Sequence, residues 1–114
     1  MTDELCNLIG HALDGGTLCI YDGESGQAHR LATLIFGRPA FQRAKGRMAE
    51  AAPIQTAIAD ATGTAKWYRC FTTDGRELLN GPVAAKGDNG LVISSTDIQH
   101  GADISVDHYV IGVS

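Results

Sequence analysis

The sequence predicts an all-β protein: a two-layer antiparallel β-sandwich, jelly-roll-like, with a short helix at its N-terminus. Two observations support this fold class. Short apolar runs recur from Thr17 to the C-terminus, and turns rich in Gly and Asp separate them, which is typical of small β domains. These runs are not separated by the crossover helices that connect parallel strands, so we expect antiparallel pairing.

The first residues are expected to form a helical arm (1–16), followed by the sandwich domain (17–114). Apolar residues of the arm recur at spacings of three and four, along one face of a helix: Leu5, Leu8, Ile9, Ala12 and Leu13. The pair Gly15-Gly16 would end this helix. A helix this short is not stable in isolation. Its apolar face is therefore expected to pack either on its own sheet or on a neighbouring subunit.

The strands are predicted from apolar runs bounded by turn residues. The clearest unit is a hairpin in which residues 64–72 and 76–79 are the strands and Asp74-Gly75 is the turn. Glycine suits this turn because it adopts positive φ without strain. The other predicted strands are residues 17–21, 30–36, 46–51, 54–58, 82–85, 91–94 and 103–111.

The alternation of side chains along the strands predicts the core. In the last strand Ile104, Val106 and Val110 share a parity and should face one side, with the polar residues between them facing solvent. The side chains expected to be fully buried are Leu18, Ile20, Leu34, Phe36, Trp67, Val92, Ile104 and Val106. For Trp67 an alternative stays open, namely that it anchors an interface.

Composition and charge exclude several classes of partner. The 114 residues and 44% hydrophobic content suit one domain with one core. The formal net charge is −4, and the nine Lys and Arg residues are mostly scattered singly, so we expect no nucleic-acid partner. No apolar run reaches the roughly 18 residues that span a bilayer, and the start of the chain lacks the basic residues of a secretory signal. We therefore expect no membrane partner, and synthesis in the cytoplasm.

The residues that could perform chemistry are isolated along the sequence. The three cysteines lack C-x-x-C spacing and are expected to be reduced thiols: Cys6, Cys19 and Cys70. The four histidines form no metal-ligand motif: His11, His29, His100 and His108. Nucleophile-elbow and nucleotide-binding motifs are also missing. We expect no catalytic residues, no metal and no cofactor, and therefore no enzyme.

Several segments together resemble a family of small structural proteins of tailed bacteriophages and prophages. The segments follow the family in order and span most of the chain: residues 15–23 (GGTLCIYDG), 31–36 (LATLIF) with 39–41 (PAF), 61–69 (ATGTAKWYR), and 91–94 (LVIS) followed by 101–106 (GADISV). The family carries more Gly, Ala and Ser in its middle, where this chain has the charged segment 42–47.

The resemblance implies a virion component, and we favour capsid decoration, or cement. In that role a β-sandwich lies over the joints between subunits of the major capsid protein on the capsid surface. The implied partners are the major capsid protein and further copies of the chain, as a dimer or trimer. Two alternatives remain: a tail or fibre-attachment component, and a sandwich that binds carbohydrate or another ligand.

The residues expected to form interfaces fall into three groups. The apolar helix face offers Leu5, Leu8, Ile9 and Leu13. A basic stretch would suit an acidic capsid surface and contains Arg38, Arg43, Lys45 and Arg47. Trp67 shares a strand face with Arg69 and Phe71. If a neighbouring subunit buries the apolar helix face, deleting residues 1–14 should weaken self-association or shell binding and leave the sandwich folded.

Overall fold

One short helix and eleven strands are present in the computed structural model, which describes residues 3–23, 27–46, 48–85 and 90–112. The helix is α1 (Asp3–Ala12), as the apolar spacing predicts. The strands are β1 (Thr17–Tyr21), β2 (Arg30–Ile35), β3 (Met48–Glu50), β4 (Ala57–Ile58), β5 (Gly63–Thr64), β6 (Trp67–Phe71), β7 (Glu77–Ala84), β8 (Gly90–Ile93), β9 (Asp97–Ile98), β10 (Asp103–Ile104) and β11 (Val106–Gly112). The protein is mostly β with one short helix, which confirms the predicted fold class.

Seven strands form one large curled sheet, in the order β2-β1-β6-β7-β8-β11-β3. Two short pairs, β10-β4 and β5-β9, complete the fold. The large sheet is mixed, because β7 and β8 pair in parallel through Val83 with Leu91 and Ala84 with Val92. The predicted strands 76–79 and 82–85 are in fact one continuous strand, β7. The sheet is therefore not antiparallel throughout, as the sequence predicts it to be, and the jelly-roll arrangement is not confirmed.

The predicted hairpin between β6 and β7 is present, with Gly75 at φ +89°. Thr72 organises the turn: its backbone N–H donates to the carbonyl of Arg76 at 2.9 Å, and its hydroxyl donates to the Asp74 carboxylate. That hydrogen bond is the main reason why the pKa of Asp74 lies below its ordinary value. The local turn chemistry thus fixes the connection, as the sequence predicts.

The core lies against one face of the large sheet. Leu18 and Ile20 of β1 point inward, with Leu34 and Cys70 opposite Leu18 and Tyr68 opposite Ile20. Residues outside the sheet cover this face, among them Leu13, Phe36, Phe41, Ile98 and Ile104. We call the other face of β2, β1, β6 and β7 the outer sheet face.

Tyr109 of β11 lies at the centre of the core and is fully buried. Its ring is 5.5 Å from that of Phe41 and 5.1 Å from that of Tyr68, centroid to centroid. Its hydroxyl donates to the Tyr68 hydroxyl at 2.9 Å and lies 3.6 Å from the Cys70 sulfur. Burial raises the pKa of both tyrosines. The side-chain polar atoms of Tyr68, Cys70 and Tyr109 therefore satisfy one another.

A bulge in β11 changes the face that its side chains present. The pairing with β8 shifts between Val106 and His108, after which Tyr109 and Ile111 are buried. The sequence predicts instead that Val106 and Val110 both face the core with Ile104. Val106, before the bulge, is half-buried and packs against the core, whereas Val110, after the bulge, is half-buried and is not part of it. One extra residue reverses the parity of everything that follows, which the alternation of residue types does not reveal.

The predicted core is otherwise mostly correct, with one important exception. The buried residues include Leu18, Ile20, Leu34, Phe36, Val92 and Ile104. Trp67 is half-buried, because Tyr68 and Cys70 are the residues of β6 that point inward and Trp67 has the opposite parity. The prediction that Trp67 is a core residue is therefore wrong. It lies on the outer sheet face.

The helix packs on its own chain and is not a free arm. Leu13 is fully buried and Ile9 packs partly against the core, whereas Leu5 and Leu8 are 45% and 67% exposed. The Asn7 side chain accepts a hydrogen bond from the backbone N–H of Ala44 at 2.8 Å. Removal of residues 1–14 would therefore open the core, which argues against the expectation that this deletion leaves the sandwich folded.

Both cysteines whose side chains are described, Cys19 and Cys70, are free thiols and are buried, as the sequence predicts. Cys6 lies in α1, and its side chain is outside the described part of the structure. Burial raises the pKa of Cys70 from an ordinary 9.0 to about 12. This shift makes the stability of the fold sensitive to alkaline pH.

We expect the free energy of unfolding to fall above about pH 9 because of Cys70. The unfolded thiol loses its proton there while the folded one keeps it, so the stability is complete below pH 9.0 and is lost on the way to about pH 12. The slope is up to about 1.4 kcal/mol per pH unit. Urea unfolding of the wild type and Cys70→Ala at about pH 8 and about pH 10 measures it. Equal losses in both proteins would contradict the prediction.

Candidate functional site

One exposed surface is formed by α1 and the segment that follows β2; we call it the helix–loop surface and define it by Leu5, Leu8, Arg38, Arg43 and Lys45. Leu5 and Leu8 are exposed apolar residues, and the three basic residues are exposed as well. At spacing i, i+3, the two leucines lie side by side on the helix. The surface therefore combines apolar area with positive charge on an acidic protein.

Two helix-side carboxylate and amide groups hold the basic segment in place. Asp14 accepts a hydrogen bond from the backbone N–H of Ala40 at 2.7 Å, seven residues along the chain from Asn7, which accepts the bond from Ala44. The Asn7 amide oxygen and an Asp14 carboxylate oxygen thus each satisfy one backbone N–H of the segment that the short strand β3 does not pair. The segment becomes one rigid unit with the helix.

Gly15 brings Arg38 into the same unit. Its φ of +70° ends the helical stretch, and the Arg38 guanidinium lies directly over its backbone, where a side chain would collide with it. Between the helix and the segment is a groove of about 410 Å³, lined by Asn7, Gly10 and Arg43 among others. A partner side chain could enter this groove.

The outer sheet face is the second exposed surface, and Tyr21, Trp67, Arg69, Phe71 and Glu77 lie at its centre. Across β1 and β6, Tyr21 is opposite Trp67 and Cys19 is opposite Arg69. Across β6 and β7, Phe71 is opposite Glu77. These residues have the parity that points away from the core, and the aromatic ones are half-buried. No helix or strand of the described chain packs over this face in the way that the core side is covered.

A network of polar contacts organises the outer sheet face. Arg69 donates from Nη1 to Oε1 of Glu77 at 2.9 Å, and Asn80 donates to the other Glu77 oxygen at 3.1 Å. The Arg69 guanidinium also lies 5.7 Å from the centre of the Tyr21 ring, a cation–π distance. Arginine, glutamate and tyrosine therefore keep one another in fixed positions. Partial burial is the main cause that raises the pKa of Tyr21.

The structure separates the residues that the sequence predicts as one set of interface candidates. Leu5 and Leu8 are exposed on α1, and Arg38, Arg43 and Lys45 are exposed on the segment that follows β2. Leu13 belongs to the core and Ile9 packs against it, so neither offers free apolar area. Arg47 is outside the described residues. Trp67 lies on the outer sheet face instead.

The sequence analysis missed one member of the outer sheet face, Tyr21. The parity shared by Trp67, Arg69 and Phe71 is visible in the sequence, since these residues alternate along one strand. Tyr21 is remote in the chain and joins them only through the register of β1 against β6. That register is not encoded in local residue spacing.

The histidines and carboxylates remain dispersed. Within residues 3–23, 27–46, 48–85 and 90–112 no three His, Cys, Asp or Glu side chains are grouped so that they could hold a metal ion. Asp103 and Asp107 belong to different strands, β10 and β11. The Nε2 atom of His108 is buried and has no hydrogen-bond partner in the structure.

In the described part of the chain, no helix has both the length and the apolar character that crossing a bilayer would require. Comparisons with known proteins assign no role to either surface. No protein-family model matches the chain, and searches of the curated proteins and of the solved structures return no significant match.

Proposed function

We propose that this protein is a bacteriophage virion structural protein that decorates the capsid and stabilises the lattice of the major capsid protein. The single observation that carries the proposal is the helix–loop surface, which presents two exposed leucines on α1 and three exposed cations on the segment bonded to that helix, on a chain of net charge −4. The order of the phage-like segments in the sequence supports the same function. The role is structural, and it needs no catalytic group and no cofactor.

The helix–loop surface suits binding to a large acidic neighbour. Complete burial of a leucine side chain stabilises a complex by about 1.5–3 kcal/mol, and Leu8 is 67% exposed before binding. Arg38, Arg43 and Lys45 would be attracted to carboxylates of the major capsid protein and would set the orientation of docking. The hydrogen bonds from the segment to Asn7 and Asp14 fix the surface in advance, which reduces the entropy lost on binding.

The expected location is the capsid surface, where a rigid β body bridges joints between capsid subunits. Many small contacts of this kind add up over a shell, because each copy contributes its own buried area. We expect neither nucleic acid nor membrane as a partner.

Heads assembled without this protein are expected to form, but to break at a lower temperature or under milder osmotic shock. Adding purified protein back should restore their resistance, with a stoichiometry tied to the icosahedral lattice. The variants Leu8→Glu and Arg43→Glu should bind heads about tenfold more weakly or worse. Sedimentation of heads with labelled protein measures binding, and calorimetry measures breakage.

The matched control is Arg76→Glu, which makes the same charge change at an exposed hairpin position. It should bind heads like the wild type. If heads without the protein are equally robust, the decoration function is wrong. If labelled protein maps only to the tail, the tail-component alternative takes its place.

A further inference from the structure

The outer sheet face has the composition of a binding hot spot. Trp, Tyr and Arg are the residues that most often dominate protein interfaces, and Trp67, Tyr21 and Arg69 meet here on adjacent strands. Phe71 extends the aromatic area, and Ile35 at its margin is 61% exposed. Half-buried aromatic rings and an exposed isoleucine on one sheet face suit a surface that another molecule covers.

Charge identifies the molecule that fits this face. The chain is acidic overall, so two copies repel each other on most approaches. On the outer sheet face, however, Arg69 and Glu77 form a neutral pair at 2.9 Å. Arg30, opposite Tyr21 on the edge strand β2, adds a positive charge at the margin of the face. The Arg69–Glu77 pair itself is complementary to a second copy of the pair after a two-fold rotation, because each charge then meets its opposite.

We infer that the outer sheet face binds the same face of a second copy of this chain, around a two-fold axis through the Arg69–Glu77 pairs. In this arrangement the aromatic rings of Tyr21, Trp67 and Phe71 pack across the interface around exchanged ion pairs. The inference does not depend on the proposed function, since the helix–loop surface shares no residue with this face. A dimer would keep both helix–loop surfaces available for a capsid.

The side chains are prepared for this contact before it forms. Arg69 is 22% exposed and Glu77 33%, and each is restrained by more than one neighbour. Restrained side chains lose less conformational entropy on binding than free ones. The isolated pair contributes little to the stability of the monomer, because exposed ion pairs are screened by solvent. Its role in a shared, water-excluded interface would be larger.

A charge-swap experiment tests the inference. Arg69→Glu leaves two acidic groups at the position of the pair, and Glu77→Arg leaves two basic groups there. Each variant should therefore self-associate about 100-fold more weakly than the wild type. An equimolar mixture of the two variants should associate again, because the acidic face then meets the basic one. Sedimentation equilibrium measures all three samples, and circular dichroism verifies that each variant is folded.

Arg43→Glu is the matched control, since it makes the same charge change on the helix–loop surface and should leave self-association unchanged. Trp67 is the one tryptophan of the chain, so its fluorescence emission should shift to the red when the wild type is diluted and dissociates. This measurement needs no variant. The inference fails if the wild type stays monomeric at high concentration, if dissociation leaves the emission unchanged, if either folded single variant associates normally, or if their mixture remains monomeric.

Discussion

Replacing Tyr109 by alanine is expected to lower the free energy of unfolding by about 3–5 kcal/mol. The ring is the largest fully buried side chain, and it contacts the rings of Phe41 and Tyr68. Its removal leaves a cavity and deprives the Tyr68 hydroxyl of its donor. Because domains of this size are typically stable by about 5–15 kcal/mol, the variant should unfold at a much lower urea concentration.

Two further variants separate the contributions to this loss. Tyr109→Phe keeps the ring and removes the hydroxyl, so about 1–3 kcal/mol should be lost through the unpaired Tyr68 hydroxyl. Tyr21→Ala removes a tyrosine from the half-buried outer sheet face and should be the mildest of the three in the monomer. If Tyr21→Ala were as destabilising as Tyr109→Ala, the assignment of the two faces would be wrong.

Gly16→Ala is expected to destabilise the protein by about 2–3 kcal/mol, near the upper end for overpacked sites. A Cβ at this position would collide with the backbone oxygen of Phe71 and lie 3.1 Å from that of Leu13. Backbone atoms of a paired strand cannot rotate away as a side chain can. Gly16 also donates to Leu13 and accepts from Phe36, so both flanking segments would have to move.

The matched control for Gly16 is Gly37→Ala. Gly37 lies in the same part of the fold, because its carbonyl accepts a hydrogen bond from the backbone N–H of Gly15 at 3.2 Å. There a Cβ would meet its nearest neighbour, the oxygen of Pro39, at 3.5 Å, which is an ordinary contact. The change should therefore be close to neutral. Thermal unfolding compares the two variants directly. Similar melting temperatures would argue against the close approach of the Phe71 backbone to Gly16.

The helix and the hairpin show how much local sequence can predict. The spacing of Leu5, Ile9 and Leu13 specifies a helix, and the pair Asp74-Gly75 specifies a turn, because both signals act over a few neighbouring residues. Neither signal states what the element packs against. The apolar helix face therefore divides in the structure into the buried Leu13 and the exposed Leu5.

The candidate site was predictable only in part. Arg43 and Lys45 are visible as a basic stretch, but the hydrogen bonds that fix this stretch to Asn7 and Asp14 join residues that are far apart in the sequence. Trp67 was ambiguous between core and interface. Its partners on the outer sheet face depend on strand order, which becomes known only when the sheet is assembled.

The sequence by itself determined the mostly β character, the N-terminal helix and the tight turn, because turn residues and apolar spacing act locally. Only the tertiary structure decided which side chains face the core and which face outward. A single bulge after Val106 moves Tyr109 inward, and the register of β6 turns Trp67 outward. In a β protein these choices depend on pairing between distant strands, where a shift of one residue exchanges the two faces.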